Sequence, residues 1–252
     1  MRRLVLMLAV IGAGLLPATA DVPRPPEVDY ENAGYDGRFT FTRVRFTPSR
    51  WGPGNYAWGL DLRWNHDYPR AEQHLSTILQ ETTTIDANTD GSNVFALDDP
   101  ELFRFPVADL CEAGFWTMSE SEVQGLRAYV LKGGFVIVDD FQGPHWYNFV
   151  EQLGRVLPDA RLVRLEPSHP IFDSFFRVDP YEFRHPSFEI LDPTYHGVFE
   201  NNDPNGRLML IANYDHDIGE YWEWSDTDYV PIELSNEAYK LGVNYIVYGM
   251  TH

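Results

Sequence analysis

The chain is short of disulfide-forming residues and of positive charge, and both shortages narrow its role. Its 252 residues include one cysteine, Cys111. An internal disulfide is therefore excluded, and stability must come from a packed core. Lys and Arg total 19 against 38 Asp and Glu, a net charge of −19. That balance argues against nucleic acid and anionic membrane surfaces, which are bound by basic patches. It permits cationic ligands, divalent metals and neutral polymers such as glycans, although a solvated acidic surface explains most of the charge. There is no P-loop and no G-x-G-x-x-G, so nucleotide cofactors have no support. G-x-S-x-G, HExxH and cysteine-based zinc spacing are missing as well. The one long apolar run, residues 4–16, is shorter than the roughly 20 residues that span a bilayer.

That run belongs to a targeting segment. Arg2 and Arg3 precede it, and Ala18-Thr19-Ala20 follows as an A-x-A cleavage signal. Residues 1–20 read as a signal peptide, with a mature start at Asp21; an uncleaved anchor is the alternative. No Cys follows for lipid attachment. The expected location is the periplasm or another exported compartment. Residues 21–38 are a Pro-rich, acidic leader. Residues 39–252 then form one domain, with no internal repeat and no transmembrane span.

Strand and helix patterns alternate through that domain. Residues 39–46 alternate and favour β structure, and 93–97, 105–111, 135–138 and 162–165 read as further strands. Residues 208–212 are a continuous apolar run of the kind found in central parallel strands. Asp67 is placed to cap a helix with Pro69 in its first turn. Ser119-Glu120-Ser121-Glu122 is a capping box that opens a second helix, ended by Gly133-Gly134. Residues 146–157 form a third amphipathic helix. A last helix carries Leu234, Ala238, Leu241, Tyr245 and Tyr248 at helical spacing. The fold class is α/β: a largely parallel sheet flanked by helices, a flavodoxin-like or amidotransferase-like three-layer sandwich.

In such sheets ligands bind beyond the carboxyl ends of the strands, and the acids sit there. Asp139 and Asp140 end the strand 135–138. One carboxyl could have its pKa raised by the other and act as a general acid, although adjacent strand residues point opposite ways. Asp98 and Asp99 end another strand. Asp215-His216-Asp217-Ile218-Gly219-Glu220 offers Asp215, Asp217 and Glu220 as ligands for a divalent cation, the one cofactor these residues support, and His216 as a general base. Against each stands a structural alternative: a buried, hydrogen-bonded Asp139, a capping Asp140, and turn-forming acids around an exposed His216. Trp58, Trp64, Phe141, Tyr221, Trp222 and Trp224 lie in polar loops, where aromatic faces beside carboxylates suit sugar rings. The alternative is that they pack loops onto the domain.

Taken together, these motifs resemble a bacterial family. The strand 39–46, Leu97-Asp98-Asp99-Pro100-Glu101-Leu102-Phe103, Val138-Asp139-Asp140-Phe141, His169-Pro170-Ile171-Phe172, and the run from Asp215 to Trp224 are similar to domain of unknown function 4159. The resemblance covers residues 39–252. It implies a class I glutamine-amidotransferase-like fold and an envelope location, with some relatives joined to membrane segments or encoded near ATPase and adhesion-type modules. It implies no activity. The superfamily's nucleophilic Cys would follow the strand 135–138, where this chain has Asp139, Asp140 and Phe141, so glutamine hydrolysis is not expected. Three functions remain. The first is an envelope binding or assembly module that recognises a glycan or a partner protein. The others are a metal-assisted hydrolase and a structural subunit of a membrane-associated complex.

Overall fold

The computed structural model describes residues 30–49, 62–182 and 191–252. Seven strands, β1 (Thr42–Arg45), β3 (Asn93–Ala96), β4 (Val107–Cys111), β6 (Phe135–Phe141), β7 (Leu162–Arg164), β8 (Thr194–Phe199) and β9 (Leu208–Tyr214), make one sheet. Their order is β3-β1-β4-β6-β9-β8-β7. The pairs from β3 to β9 are parallel, and β8 runs antiparallel to both its neighbours. The apolar run at 208–212 is thus a central strand with one parallel and one antiparallel partner. Two short strands, β2 (Thr47–Pro48) and β5 (Trp116–Thr117), pair antiparallel beside the sheet.

Alternation along β6 sorts two cores. Phe135 and Ile137 face α1 (Arg70–Thr82), α4 (Ile218–Glu223) and α5 (Ile232–Thr251). Val136 and Val138 face α2 (Glu120–Leu131) and α3 (His145–Val156). Successive strand residues point to opposite faces, so a strand that is apolar at every position buries both. The result is a three-layer α/β sandwich. The capping box starts α2 as its sequence requires: Glu122 N donates to Ser119 Oγ at 3.3 Å, and Ser119 N to the Glu122 carboxylate at 2.7 Å. Among the described residues, no helix is long and apolar enough to cross a membrane.

Two local features shape the carboxyl end of the sheet. First, β6 advances three residues from Val138 to Phe141 while β9 advances two, from Ala212 to Tyr214. The extra residue makes a bulge, with Asp140 at φ 53°. A bulge re-aims side chains. Phe141 changes face and joins the α2–α3 core. Second, Arg43 is buried in the middle of β1. It pairs with Glu72 of α1, stands 3.5 Å from Asp109 and donates to the Trp64 carbonyl at 3.1 Å. A buried guanidinium is tolerated when its hydrogen bonds are filled in this way. It ties α1 and the segment before it to the sheet.

That segment departs from the expected cap. The Asp67 side chain does not cap α1. Instead its carbonyl accepts from Ala71 N at 3.0 Å. The helix begins after Pro69, without a side-chain cap. Asp67 has φ 65°, and its carboxyl is among the groups lining the cavity described next.

Candidate functional site

A cavity of about 620 Å³ opens at the carboxyl end of the sheet, lined by His66, Asp67, Asp140, Asp217, Glu220, Glu223, Trp224, Thr227 and Tyr229. Its floor is the end of β6. Asp139 continues the β6 alternation toward the α4 side and is buried. It accepts from Ile218 N at 2.6 Å and Gly219 N at 3.0 Å, and from the Asn213 amide at 3.0 Å. Asn213 is itself held by the Tyr245 hydroxyl at 3.0 Å. Asp139 is therefore the acid that fastens the start of α4, where orphan N–H groups favour a carboxylate. Burial lifts its pKa to about 6, while those hydrogen bonds pull the other way.

Asp140, turned by the bulge, faces the cavity instead. Burial first, then the carboxylates of Glu112, Asp67 and Asp139, push its carboxyl well above the usual range. Glu112 follows β4 directly, at φ 51°. Its Oε1 lies 2.7 Å from His66 Nδ1 and 3.2 Å from Arg63 Nη1. His66 Nδ1 is 3.9 Å from Asp140 Oδ2. The Cys111 thiol sits below, its Sγ 3.8 Å from Asp140 Oδ2 and 3.9 Å from Asp67 Oδ2. Burial, then Asp140 and Asp67, push that thiol up, so it is a neutral group.

The wall opposite is α4. Asp217 caps it, accepting from Glu220 N at 2.9 Å. Burial, then Asp140 and Asp139, raise the Asp217 carboxyl well above its ordinary value. Burial, then Asp217, do the same to Asp67, with Arg43 opposing. Gly219 allows this contact, because a side chain there would strike the Asp67 carboxyl. Glu220 and Glu223 project from the next turn, and burial followed by Glu220 raises the Glu223 carboxyl. Trp224 and Tyr229 touch at 5.7 Å between ring centres and form the rim. The Glu220 carboxylate, foremost, pushes the Tyr229 phenol up.

Two groups have donor atoms within 4.8 Å of one another: His66, Glu112 and Asp140, and Asp67, Glu220 and Glu223. Carboxylates this close repel one another, and a cation between them removes that repulsion. The arrangement can hold a hard or borderline divalent ion, or an organic cation.

Of the residues chosen from sequence, Asp140, Asp217, Glu220 and Trp224 meet in this cavity. The other described ones do not line it. Asp139 is occupied by α4. His216 is buried between Tyr195 and Tyr221, because the chain just past β9 bridges it to Phe141; it is neither the general base in the cleft nor the exposed histidine of the structural alternative. Asp215 accepts from Gly143 N at 3.0 Å and closes a loop. Asp98 accepts from Ser121 Oγ at 2.8 Å, and Asp99 caps a 3-10 turn through Glu101 N at 2.9 Å. Trp64, Phe141, Tyr221 and Trp222 are buried, at 3% exposure or less. Their faces pack the core, so they offer no stacking platform. Trp58 lies outside the described residues.

Sequence reasoning missed Glu112 as a site residue and took Asp67 for a helix cap; it placed His66 and Glu223 in loops that could carry a site, without assigning either a role. Glu112 is the first residue past a parallel strand, so the strand-end rule alone could have found it. A family model described as a domain of unknown function (DUF4159) matches residues 42–250. No curated protein matches the chain.

Proposed function

The chain belongs to the DUF4159 family, and from that premise we propose that it is an exported binding module of the cell envelope whose cleft captures a positively charged ligand. One observation carries this reading. Five carboxyl groups and an imidazole surround a cavity of about 620 Å³, with no Lys or Arg in its lining among the described residues. Several of these carboxyls are held above their usual pKa by burial and by each other, so an incoming cation relieves a standing repulsion. Trp224 and Tyr229 at the rim supply aromatic faces, which attract cations as well as apolar groups. Export rests on Arg2, Arg3, the apolar run at residues 4–16 and Ala18-Thr19-Ala20. The fold is read as amidotransferase-like. Asp140, left-handed in the bulge near the end of β6, is one of the residues at the position where the resemblance implies a thiol nucleophile.

Metal-assisted hydrolysis is the second reading. It is favoured by the imidazole beside Glu112 and Asp140 at a cavity open enough to admit a substrate.

Thermal unfolding in the presence of divalent metal salts and of a linear polyamine tests the binding reading. Native-state binding adds about 2.7 kcal/mol at a ligand concentration one hundred times the dissociation constant. The expected result is a rise with at least one cation class, lost in the Asp140→Asn, Glu220→Gln double variant. No rise with either class overturns the reading. Fractionation with N-terminal sequencing tests export, and the expected first residue is Asp21.

A further inference from the structure

We propose that the inner end of the cleft is a metal centre in which His66 Nδ1, Glu112 and Asp140 hold one divalent ion of the borderline type, zinc or cobalt ahead of manganese and calcium. This deepens the cation reading and rests on it.

The three side chains come from separate pieces of chain: the segment before α1, the residue after β4, and the bulge in β6. Their donor atoms lie within 4.8 Å of one another, and His66 and Asp140 also line the cavity. Bonds of about 2.0–2.1 Å in a tetrahedral site put neighbouring donors roughly 3.3 Å apart. Here His66 Nδ1 is 2.7 Å from Glu112 Oε1 and 3.9 Å from Asp140 Oδ2. The two edges bracket the required value, and all three donors lie within 4.8 Å of one another, so side-chain rotation must draw them together around an ion.

The imidazole sets this corner apart from a solvated acidic patch. Calcium and magnesium take oxygen donors; a nitrogen donor moves preference toward zinc, cobalt and nickel. In the ion-free protein the short His66–Glu112 contact is a hydrogen bond through Nδ1–H. Metal entry displaces that proton: the N–metal bond forms at Nδ1 as the Nδ1–H breaks, and Nε2 carries the hydrogen of the neutral ring, kept from an imidazolium that releases one proton to solvent or taken up in exchange by a ring that was already neutral. Arg63, 3.2 Å from Glu112 Oε1, then serves as the outer partner that fixes the carboxylate's orientation. Three protein ligands leave at least one position open toward the cavity, the arrangement of a site that binds something through its metal.

Calorimetric titration of chelator-stripped protein with zinc, manganese and calcium salts tests the assignment. The expected result is one zinc per chain, with manganese at least tenfold and calcium at least a hundredfold weaker. His66 is partly exposed, so His66→Ala should fold; it should lose tenfold or more in zinc affinity while calcium affinity stays unchanged. Asp140→Asn should lose affinity for all three. Equal zinc and calcium affinity, or zinc affinity untouched in His66→Ala, overturns the assignment. The same protein is titrated with a linear polyamine. Polyamine binding without zinc binding overturns the metal centre and leaves the cation reading standing, whereas binding of neither overturns both.

Discussion

Asp139 and Asp140 are neighbours with opposite duties, and substitution should separate them by sign. The Asp139 carboxylate fills two backbone N–H groups at the start of α4 and the Asn213 amide. Asp139→Ala strands all three in the interior, at roughly 1–3 kcal/mol for each unsatisfied group. Urea denaturation should show a loss of about 3 kcal/mol or more. A loss under 1 kcal/mol would mean that α4 does not depend on this cap. Burial first, and then the surrounding carboxylates of Glu112, Asp67 and Asp139, raise the Asp140 pKa. Asp140→Asn keeps the shape, tolerates the left-handed backbone and removes the repulsion. In ion-free protein at pH 7.5 it should raise the melting temperature by about 2–5 °C. Residues that serve binding commonly cost stability in this way. A fall in melting temperature would show that Asp140 is a structural acid.

At the scale of elements, strongly periodic segments were legible and the site's walls were not. The sandwich, the start of α2 and most strands follow from apolar spacing and one capping box. By contrast, Tyr221, Trp222 and Glu223 read as an aromatic loop because α4 is only six residues long. A helix that short shows no period, and it exists because Asp139 and Asp217 supply its cap from outside and within. The bulge in β6 was equally hidden. One extra residue leaves no composition signal, yet it decides that Asp140 and not Asp139 faces the cavity. Helix docking is testable by a glycine. A Cβ on Gly125 of α2 would collide with the Leu97 carbonyl beyond β3. Gly125→Ala normally helps a helix by up to about 1 kcal/mol, but here overpacking should reverse the sign to a loss of roughly 1–3 kcal/mol. Gly154 of α3 has open space around it, so Gly154→Ala is the matched control and should stabilise. Equal gains from both would show that α2 sits further from the sheet.

For the whole molecule, the excess of acid is not spread evenly, and its buried part makes stability depend on pH in an unusual direction. Asp109, on β4 beside Arg43, has its pKa raised from 3.8 to about 7, by burial first and with Arg43 opposing. Asp139 is raised from 3.8 to about 6. A carboxyl raised in the folded state keeps a proton that the unfolded chain has already released. Its contribution is therefore complete below about pH 4 and is lost as pH climbs through the folded value. Most globular proteins lose stability on acidification across this range because their carboxylates are paired. This one should instead weaken from about pH 5 to pH 8 when free of cations, by an amount on the order of 1–3 kcal/mol. Asp109→Asn should remove part of that slope, because an amide holds no titrating proton and stays neutral beside Arg43. Denaturation midpoints at pH 5, 6, 7 and 8, in chelator and with the best-binding cation, separate the sources. The cation should flatten the share of the slope that comes from the cleft and leave the Asp109 share intact. A midpoint that rises steadily toward pH 8 in chelator would mean that the buried carboxyls are ionised and paired, and that the cleft carries no stored repulsion for a ligand to relieve.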